Sequence, residues 1–227
     1  MTDLAIGLRG ELARTGDLQK AAGMQAYMKS AMPYWGVPAP ALRAICRSVF
    51  ASNPIATEAQ WRGECLNLWR EAGHREERYA ALELTGHRAY RAWQTLATIP
   101  MYEEMIVTGA WWDYVDLIAS RRLGPLLRAY PAPMRKKTLA WSRARNLWKR
   151  RSAILCQLSF KGDTDLDLLY AAIEPSLPSK EFFLQKAIGW ALRQYAWTNP
   201  REVRRYVRAH ADQLSALSRR EALKNIG

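Results

Sequence analysis

Residues 41–51, Ala-Leu-Arg-Ala-Ile-Cys-Arg-Ser-Val-Phe-Ala, carry the pattern that decides the fold. Their apolar side chains recur at i, i+3, i+4, i+7 and i+8, which places them on one face of an amphipathic α-helix. The same spacing returns at 61–69 and at 99–106. No run of alternating apolar and polar residues between tight turns indicates a β-strand. The sequence therefore predicts an all-α fold, with a first core face made of Leu42, Ile45, Cys46, Val49 and Phe50.

Capping residues and helix breakers mark where the helices begin and end. Thr57, Asn199 and Ser218 are each followed three residues later by Gln or Glu, which is the spacing of a capping box. Pro200 suits the first position of a helix. Together with the predicted helix ends, these signals divide the chain into roughly a dozen helices joined by short turns. The predicted ends are 53–54, 72–73, 124–125, 161–163 and 198–200.

Short helices with one apolar face each are typical of helix pairs stacked side by side. One pair per ~40 residues is the spacing of HEAT-type repeats. An irregular all-helical globule is the alternative, because the sequence shows no visible repeat. No linker or low-complexity stretch interrupts the chain, so we predict a single domain over 1–227.

The composition restricts the partners of this protein more than its fold. The chain has 227 residues, a net charge of +13 and an isoelectric point near 10.0. A field of this sign concentrates polyanions, of which nucleic acid is the commonest. No segment is apolar enough to span a bilayer, and residues 1–4 lack the start of a signal peptide. We therefore expect a cytoplasmic protein without a membrane partner.

Cysteine and histidine are too scattered to indicate a metal site. The three cysteines and three histidines show no metal-ligand spacing. We interpret Cys46, Cys65 and Cys156 as reduced core residues. No metal and no other cofactor is expected.

Positive charge is concentrated in the C-terminal half of the chain. Basic residues crowd 135–151, and four arginines between 201 and 208 are spaced to share one helix face. Like charges at this spacing repel by a few tenths of a kcal/mol per pair. A polyanion would offset that cost through counterion release. A solvated helix face with glutamate partners is the alternative, but several basic runs together favour nucleic acid. The four arginines predicted to share one helix face are Arg201, Arg204, Arg205 and Arg208.

Residues 111–116, Trp-Trp-Asp-Tyr-Val-Asp, combine indoles and carboxylates within a basic chain. If this stretch is helical, Trp112 and Asp116 lie one turn apart on the same face. Trp111 is expected to pack, and Asp113 to support the site or bind locally. Core packing and a local ion pair are the structural alternatives for each residue taken singly.

The chain resembles the AlkD family of DNA alkylation-repair glycosylases. The similarity covers nearly the whole chain in order, and the tract 179–200 is very specific. The turn 36–40 departs from the family because it has fewer polar side chains, which puts any DNA contacts there in doubt. The stretches that carry the resemblance are 26–29, 111–116, 146–154, 179–193, 195–200 and 218–222.

The resemblance implies a HEAT-like solenoid whose concave basic surface curves around duplex DNA. It implies excision of cationic bases such as 3-methyladenine and 7-methylguanine from double-stranded DNA, by a protein that we expect to be a monomer. The catalytic carboxylate matches Asp116, and the indoles flanking the lesion's deoxyribose match Trp112 and Trp190. Arg151 matches an arginine that holds the lesion strand, and Tyr27 matches a DNA-contacting tyrosine. Further basic residues predicted to contact DNA are Lys149, Arg150 and Arg193.

The chemistry of such lesions explains why one carboxylate is enough. A purine alkylated at N3 or N7 is cationic and leaves as a neutral base, so no general acid is required. The deoxyribose becomes oxocarbenium-like, as in glycoside hydrolysis. A fixed carboxylate in a dry site stabilises that charge, and indole faces add about 0.5–2 kcal/mol each. Many glycosylases extrude the target base, whereas the family is known for working without that step. The sequence is compatible with either mode, because no pocket can be read from it.

Three other functions remain open at the level of the sequence. A non-catalytic DNA-binding scaffold would need the basic faces but not Asp116. A glycosylase-lyase would use Lys186, one turn before Trp190, as a Schiff-base nucleophile, although a surface ion pair is the favoured role of this lysine. A protein-interaction solenoid fits the positive charge less well. Separately, Gly189 lies within a predicted helix at a cost of about 1 kcal/mol, which predicts a close approach to its backbone.

Overall fold

The computed structural model describes residues 2–226. Within that range it contains fourteen α-helices and no β-strand, which confirms the predicted all-α fold. Four short 3-10 segments and one π-helical turn at Ala119–Leu123 connect some of the helices. In chain order the helices are α1 (Asp3–Thr15), α2 (Leu18–Met28), α3 (Ala39–Ser52), α4 (Glu58–Arg70), α5 (Arg75–Thr85), α6 (Ile99–Gly109), α7 (Trp112–Ile118), α8 (Gly124–Ala129), α9 (Pro131–Ser142), α10 (Leu147–Leu155), α11 (Leu166–Ile173), α12 (Phe182–Ala196), α13 (Pro200–Ala209) and α14 (Ala216–Leu223).

The chain forms two compact units, 1–94 and 95–227. The first unit contains α1 to α5 and the 3-10 segment Arg88–Trp93, and Trp61 and Trp69 are among its fully buried side chains. The second unit contains α6 to α14, with a core cluster that includes Leu184 and Val203. The single domain over 1–227 stays a prediction.

Helices pack on their near neighbours in the chain within each unit. In the first unit α1, α3 and α5 pack on one another, and α4 packs on α5. In the second unit α10, α12 and α14 form a row, while α9 contacts both α10 and α11. Contacts between every second helix, together with contacts between consecutive helices, are typical of stacked helix pairs.

Two of the three predicted helix caps are present, and the third is displaced. The Thr57 side chain accepts a hydrogen bond from the Gln60 amide, and Asn199 accepts one from the Glu202 amide. The prediction at Ser218 is wrong, because α14 begins one turn earlier and its N-cap is Ser215. The Ser218 hydroxyl instead donates to the carbonyl of Gln185 on α12, so it joins two helices.

The predicted helix end at 124–125 is also wrong. The chain stays helical from α7 through the π turn into α8. A proline within a helix lacks an N–H and crowds the carbonyl four residues earlier. The wider π turn directly before Pro125 accommodates that crowding, and such turns occur often near functional sites.

The cysteines agree with the sequence prediction. All three are free and buried. Burial raises the pKa of the Cys46 and Cys156 thiols to about 12, which keeps both protonated and unreactive. No helix among residues 2–226 is both long and apolar enough to cross a membrane.

Candidate active site

An acidic and a basic side chain that are far apart in sequence meet between α7 and α10. Arg151 Nε donates to Asp116 Oδ1 at 2.6 Å, and Arg151 Nη2 donates to Asp116 Oδ2 at 2.8 Å. Asp116 is 9% exposed and Arg151 is 4% exposed, so the pair is nearly desolvated. Two parallel charge-assisted hydrogen bonds fix the plane of the carboxylate as well as its position.

Opposing effects act on the charge of Asp116. Burial raises the pKa of its carboxyl above the ordinary value, Arg151 lowers it through hydrogen bonds and charge, and the like charge of Asp113 raises it. The net direction is upward. Because Arg151 is permanently charged and donates to both oxygens, the ionised carboxylate is the form that fits this geometry at neutral pH.

A third contact of Arg151 connects the pair to α12. Its Nη1 donates to the backbone carbonyl of Phe183, and its guanidinium carbon lies 5.9 Å from the centre of the Phe183 ring. Three helices therefore hold one buried arginine. The orientation of Asp116 depends on α10 and α12 as well as on its own helix.

An aromatic cluster packs beside this arginine. The Phe183 ring centre lies 5.1 Å from that of Trp148 and 5.5 Å from that of Trp111. Trp111 packs as predicted, but its buried indole N–H has no acceptor among the described residues. Phe183 and Trp148 were missed as parts of the site. The available signal was the seven-residue spacing from Phe183 to Trp190, which places both on one helix face.

The two predicted indole walls lie on α7, which carries Asp116, and on α12, whose Phe183 carbonyl accepts a hydrogen bond from Arg151. Trp112 is half-buried, is the first residue of α7 and precedes Asp116 by one turn. Trp190 is half-buried on α12 and packs against the core of the second unit. Their action on a lesion sugar stays a prediction.

Gly189 explains how α12 can lie so close to α14. A Cβ atom at this position would lie 2.9 Å from the Ser218 backbone oxygen and closer still to the Cβ of Glu221. The predicted close approach to this glycine is therefore confirmed. The contact fixes α12, which carries Trp190.

Glu221 of α14 pairs with two basic residues of α12. Lys186 Nζ lies 2.9 Å from Glu221 Oε1, and Arg193 Nη1 lies 2.7 Å from Oε2. The hydrogen bond from Lys186 lowers the pKa of Glu221, burial opposes this by raising it, and nearby cations lower it further, so the pKa lies below its ordinary value. The ion pair favoured for Lys186 is confirmed.

The other basic residues predicted to contact DNA also have intramolecular partners. Lys149 forms an ion pair with Glu103. Arg150 donates to the Ser176 hydroxyl and to the Pro175 carbonyl. The sequence could not reveal these partners, because each lies more than 20 residues away. Direct DNA contact by these side chains stays a prediction.

The arginine face of α13 is largely engaged within the protein. Arg205 donates to the two carboxylate oxygens of Glu202 at 2.7 and 2.6 Å, and the Tyr170 hydroxyl donates to the same carboxylate. These contacts lower the pKa of Glu202 to about 2. Arg204 donates to the Ile226 carbonyl. The alternative prediction, a helix face whose arginines pair with glutamates, is therefore confirmed for Arg205.

Tyr27 belongs to the first unit and lies near the end of α2. Its side chain is 78% exposed. It is available for contact with a large partner, and its role in binding DNA stays a prediction.

Comparison with known proteins identifies the family. A family model described as DNA alkylation repair enzyme matches residues 8–226. A solved structure described as a predicted DNA alkylation repair enzyme from Enterococcus faecalis is similar over 94% of this chain and 97% of that chain, at 30% identity and a TM-score of 0.84. Comparison with curated proteins gives no match.

The chain belongs to the DNA alkylation repair enzyme family. The resemblance expected from the sequence is confirmed at that level, and the similar solved structure confirms the helical-repeat fold. Membership implies an enzyme of DNA repair that acts on DNA.

Proposed function

We propose that the protein is a monofunctional DNA glycosylase that hydrolyses the N-glycosidic bond of purines alkylated at N3 or N7, such as 3-methyladenine and 7-methylguanine. The observation that supports this best is the nearly desolvated Asp116 carboxylate held by Arg151. A carboxylate has about four lone-pair positions for hydrogen bonds. Arg151 uses two of them, which leaves acceptor capacity for a water or a substrate.

The reaction requires stabilisation of the positive charge on the deoxyribose but no general acid. The alkylated base is cationic and leaves as a neutral molecule, while positive charge develops on the deoxyribose. A preorganised carboxylate in a water-poor site stabilises that charge without reorganising during the reaction. Asp116 also has the capacity to orient the attacking water. Trp112 and Trp190 would face the cationic sugar and contribute about 0.5–2 kcal/mol each.

The proposed substrate is double-stranded DNA bound by a monomer along a concave basic surface. Tyr27, Lys149, Arg150, Arg151 and Arg193 are the proposed DNA contacts. For Lys149, Arg150 and Arg193, contact would mean exchange of the present partner for a phosphate, whereas Arg151 would use its remaining N–H groups and keep its hydrogen bonds to Asp116. We further propose that the base is not extruded, so bulky N7 adducts are released as well as 7-methylguanine. The DNA substrate implies action in the compartment that holds the genome.

The test is release of free base from a duplex that contains 7-methylguanine, measured by chromatography under single-turnover conditions. We expect Asp116→Asn to lower the rate by about 10²–10³, the effect of losing one electrostatic stabiliser. Asp113→Asn is the matched control, because it makes the same change one turn away. We expect it to retain most of the activity.

Binding of the same duplex separates the proposed enzyme from a non-catalytic scaffold. DNA binding without base release by the wild-type protein would favour the scaffold. Equal release by wild type and Asp116→Asn would refute the role of this carboxylate. Trapping of a covalent adduct by borohydride would indicate a lyase, which the Lys186–Glu221 ion pair argues against. Release of 7-methylguanine but not of a bulky N7 adduct would refute the mode without extrusion.

A further inference from the structure

The first unit contains a cationic cleft that belongs to no function described so far. Its volume is about 690 Å³, and it lies between α3 on one side and the end of α5 with the chain that follows it on the other. Arg43 and Arg47 line it from α3, and Arg88 lines it from the 3-10 segment. Cys46 and Phe50, both buried, give it an apolar floor. A cleft of this size can hold a unit as large as a nucleotide.

The three arginines are exposed and have no partner among residues 2–226. None of Arg43, Arg47 and Arg88 donates a hydrogen bond or forms an ion pair within residues 2–226. Arg193 and Arg205 of the second unit, in contrast, each neutralise a glutamate. Arg43 and Arg47 are four residues apart on α3, so they repel each other by a few tenths of a kcal/mol. A bound anion would remove that cost.

Two further polar side chains line the cleft. The Nδ1 atom of His87 is buried and has no hydrogen-bond partner among the described residues. Its ring meets Phe50 edge to face, with ring centres 5.8 Å apart. Glu83 also lines the cleft, but no ion pair within residues 2–226 joins it to the arginines. Three guanidiniums outweigh one carboxylate, so the cleft favours an anion.

We propose that this cleft binds the phosphate groups of a DNA backbone, with Arg43, Arg47 and Arg88 contacting phosphates and the apolar floor receiving the intervening deoxyribose. The alternation of cationic rim and apolar floor matches the alternation of phosphate and sugar. Contacts to phosphate position a protein on a duplex without reading its sequence. The proposal rests on DNA as the substrate of the family and requires no glycosylase chemistry. A free nucleotide carries the same phosphate chemistry, and the experiment separates these sources.

The experiment measures binding of an undamaged duplex by fluorescence anisotropy over a range of salt concentrations. Each phosphate contact contributes about −0.9 to the slope of log affinity against log salt. We expect the double variant Arg47→Ala/Arg88→Ala to make the slope less steep by about 2 and to weaken binding at every salt concentration.

The matched control is Arg14→Ala/Arg62→Ala in the same unit. These arginines pair with Glu11 and Glu58, and the control changes the net charge by the same amount. Its slope should equal that of the wild type. Thermal melts of both double variants establish that they are folded.

Three results would overturn the proposal. Equal losses in the two double variants would mean that only net charge matters. An unchanged slope in Arg47→Ala/Arg88→Ala would mean that the cleft does not contact DNA. Binding of deoxyadenosine monophosphate that depends on Arg47 and Arg88, with an unchanged DNA slope, would make the cleft a nucleotide site. Because the probe is undamaged DNA, failure of base release by the wild type would leave this test intact.

Discussion

Replacing Arg151 by methionine tests the central feature of the candidate site. The change keeps an apolar stem but removes three hydrogen bonds, two to Asp116 and one to the Phe183 carbonyl. It leaves a buried carboxylate without its counterion. Breaking a buried ion pair in this way costs about 3–5 kcal/mol. We therefore expect Arg151→Met to lower the free energy of unfolding by about that amount at neutral pH.

The pH dependence identifies the cause of this loss. In the variant, burial and Asp113 still raise the pKa of Asp116, while the guanidinium that lowered it is gone. A carboxyl whose pKa is raised on folding costs no stability when both states are protonated, so the cost grows as the pH rises from the unfolded pKa towards the raised folded pKa and then levels off. We expect less destabilisation at about pH 5 than at about pH 8. The acid limb of base release should move to higher pH, because the acid form lacks the required charge.

Urea unfolding at several pH values measures the stability, and single-turnover base release measures the activity. Arg150→Met is the matched control, since Arg150 is adjacent on α10, bonds Ser176 and Pro175, and faces no carboxylate in these contacts. It should cost about 1–2 kcal/mol, independently of pH. The double variant Asp116→Asn/Arg151→Met removes both charges and should be more stable than Arg151→Met. A pH-independent loss below about 1 kcal/mol in Arg151→Met would refute the reasoning.

Two further predictions concern stability in the second unit. Gly189→Ala places a Cβ against Ser218 and Glu221, so an overpacking cost of about 1–3 kcal/mol should exceed the gain of about 1 kcal/mol in helix propensity. The control Gly63→Ala, which has open space around it, should stabilise the protein. A Gly189→Ala variant more stable than the wild type would contradict the close packing. Glu202→Gln should lower the melting temperature at neutral pH, because the folded pKa of Glu202 is lowered from 4.5 to about 2 by hydrogen bonds from Arg205 and Tyr170. The stabilisation by ionised Glu202 is present above the unfolded pKa and is lost as the pH falls towards the folded pKa, so the difference in melting temperature between variant and wild type should shrink in acid. A difference that does not change with pH would argue against the ionised pair.

Local signals predicted much of the helical architecture. The apolar spacing of 41–51 corresponds to α3, whose five predicted core residues are all buried. The caps at Thr57 and Asn199 form as expected. These features depend on residues within one or two turns, so they are visible in the sequence. The helix end at 124–125 and the cap at Ser218 were wrong because tertiary contacts decided them: the π turn keeps the chain helical, and Ser218 bonds to Gln185.

The sequence by itself determined that the chain is helical and basic, that Trp112 and Asp116 share a helix face, and that something lies against Gly189. Only the tertiary structure decided which charges meet. Asp116 pairs with Arg151, which is 35 residues away in the sequence, and Glu221 pairs with both Lys186 and Arg193 on α12. It also placed Arg43, Arg47 and Arg88 around one cleft without a partner in the described part of the chain. The physical reason is that helix formation depends on neighbours in the chain. The energy of a charged group depends instead on its burial and on the partners that packing brings close to it.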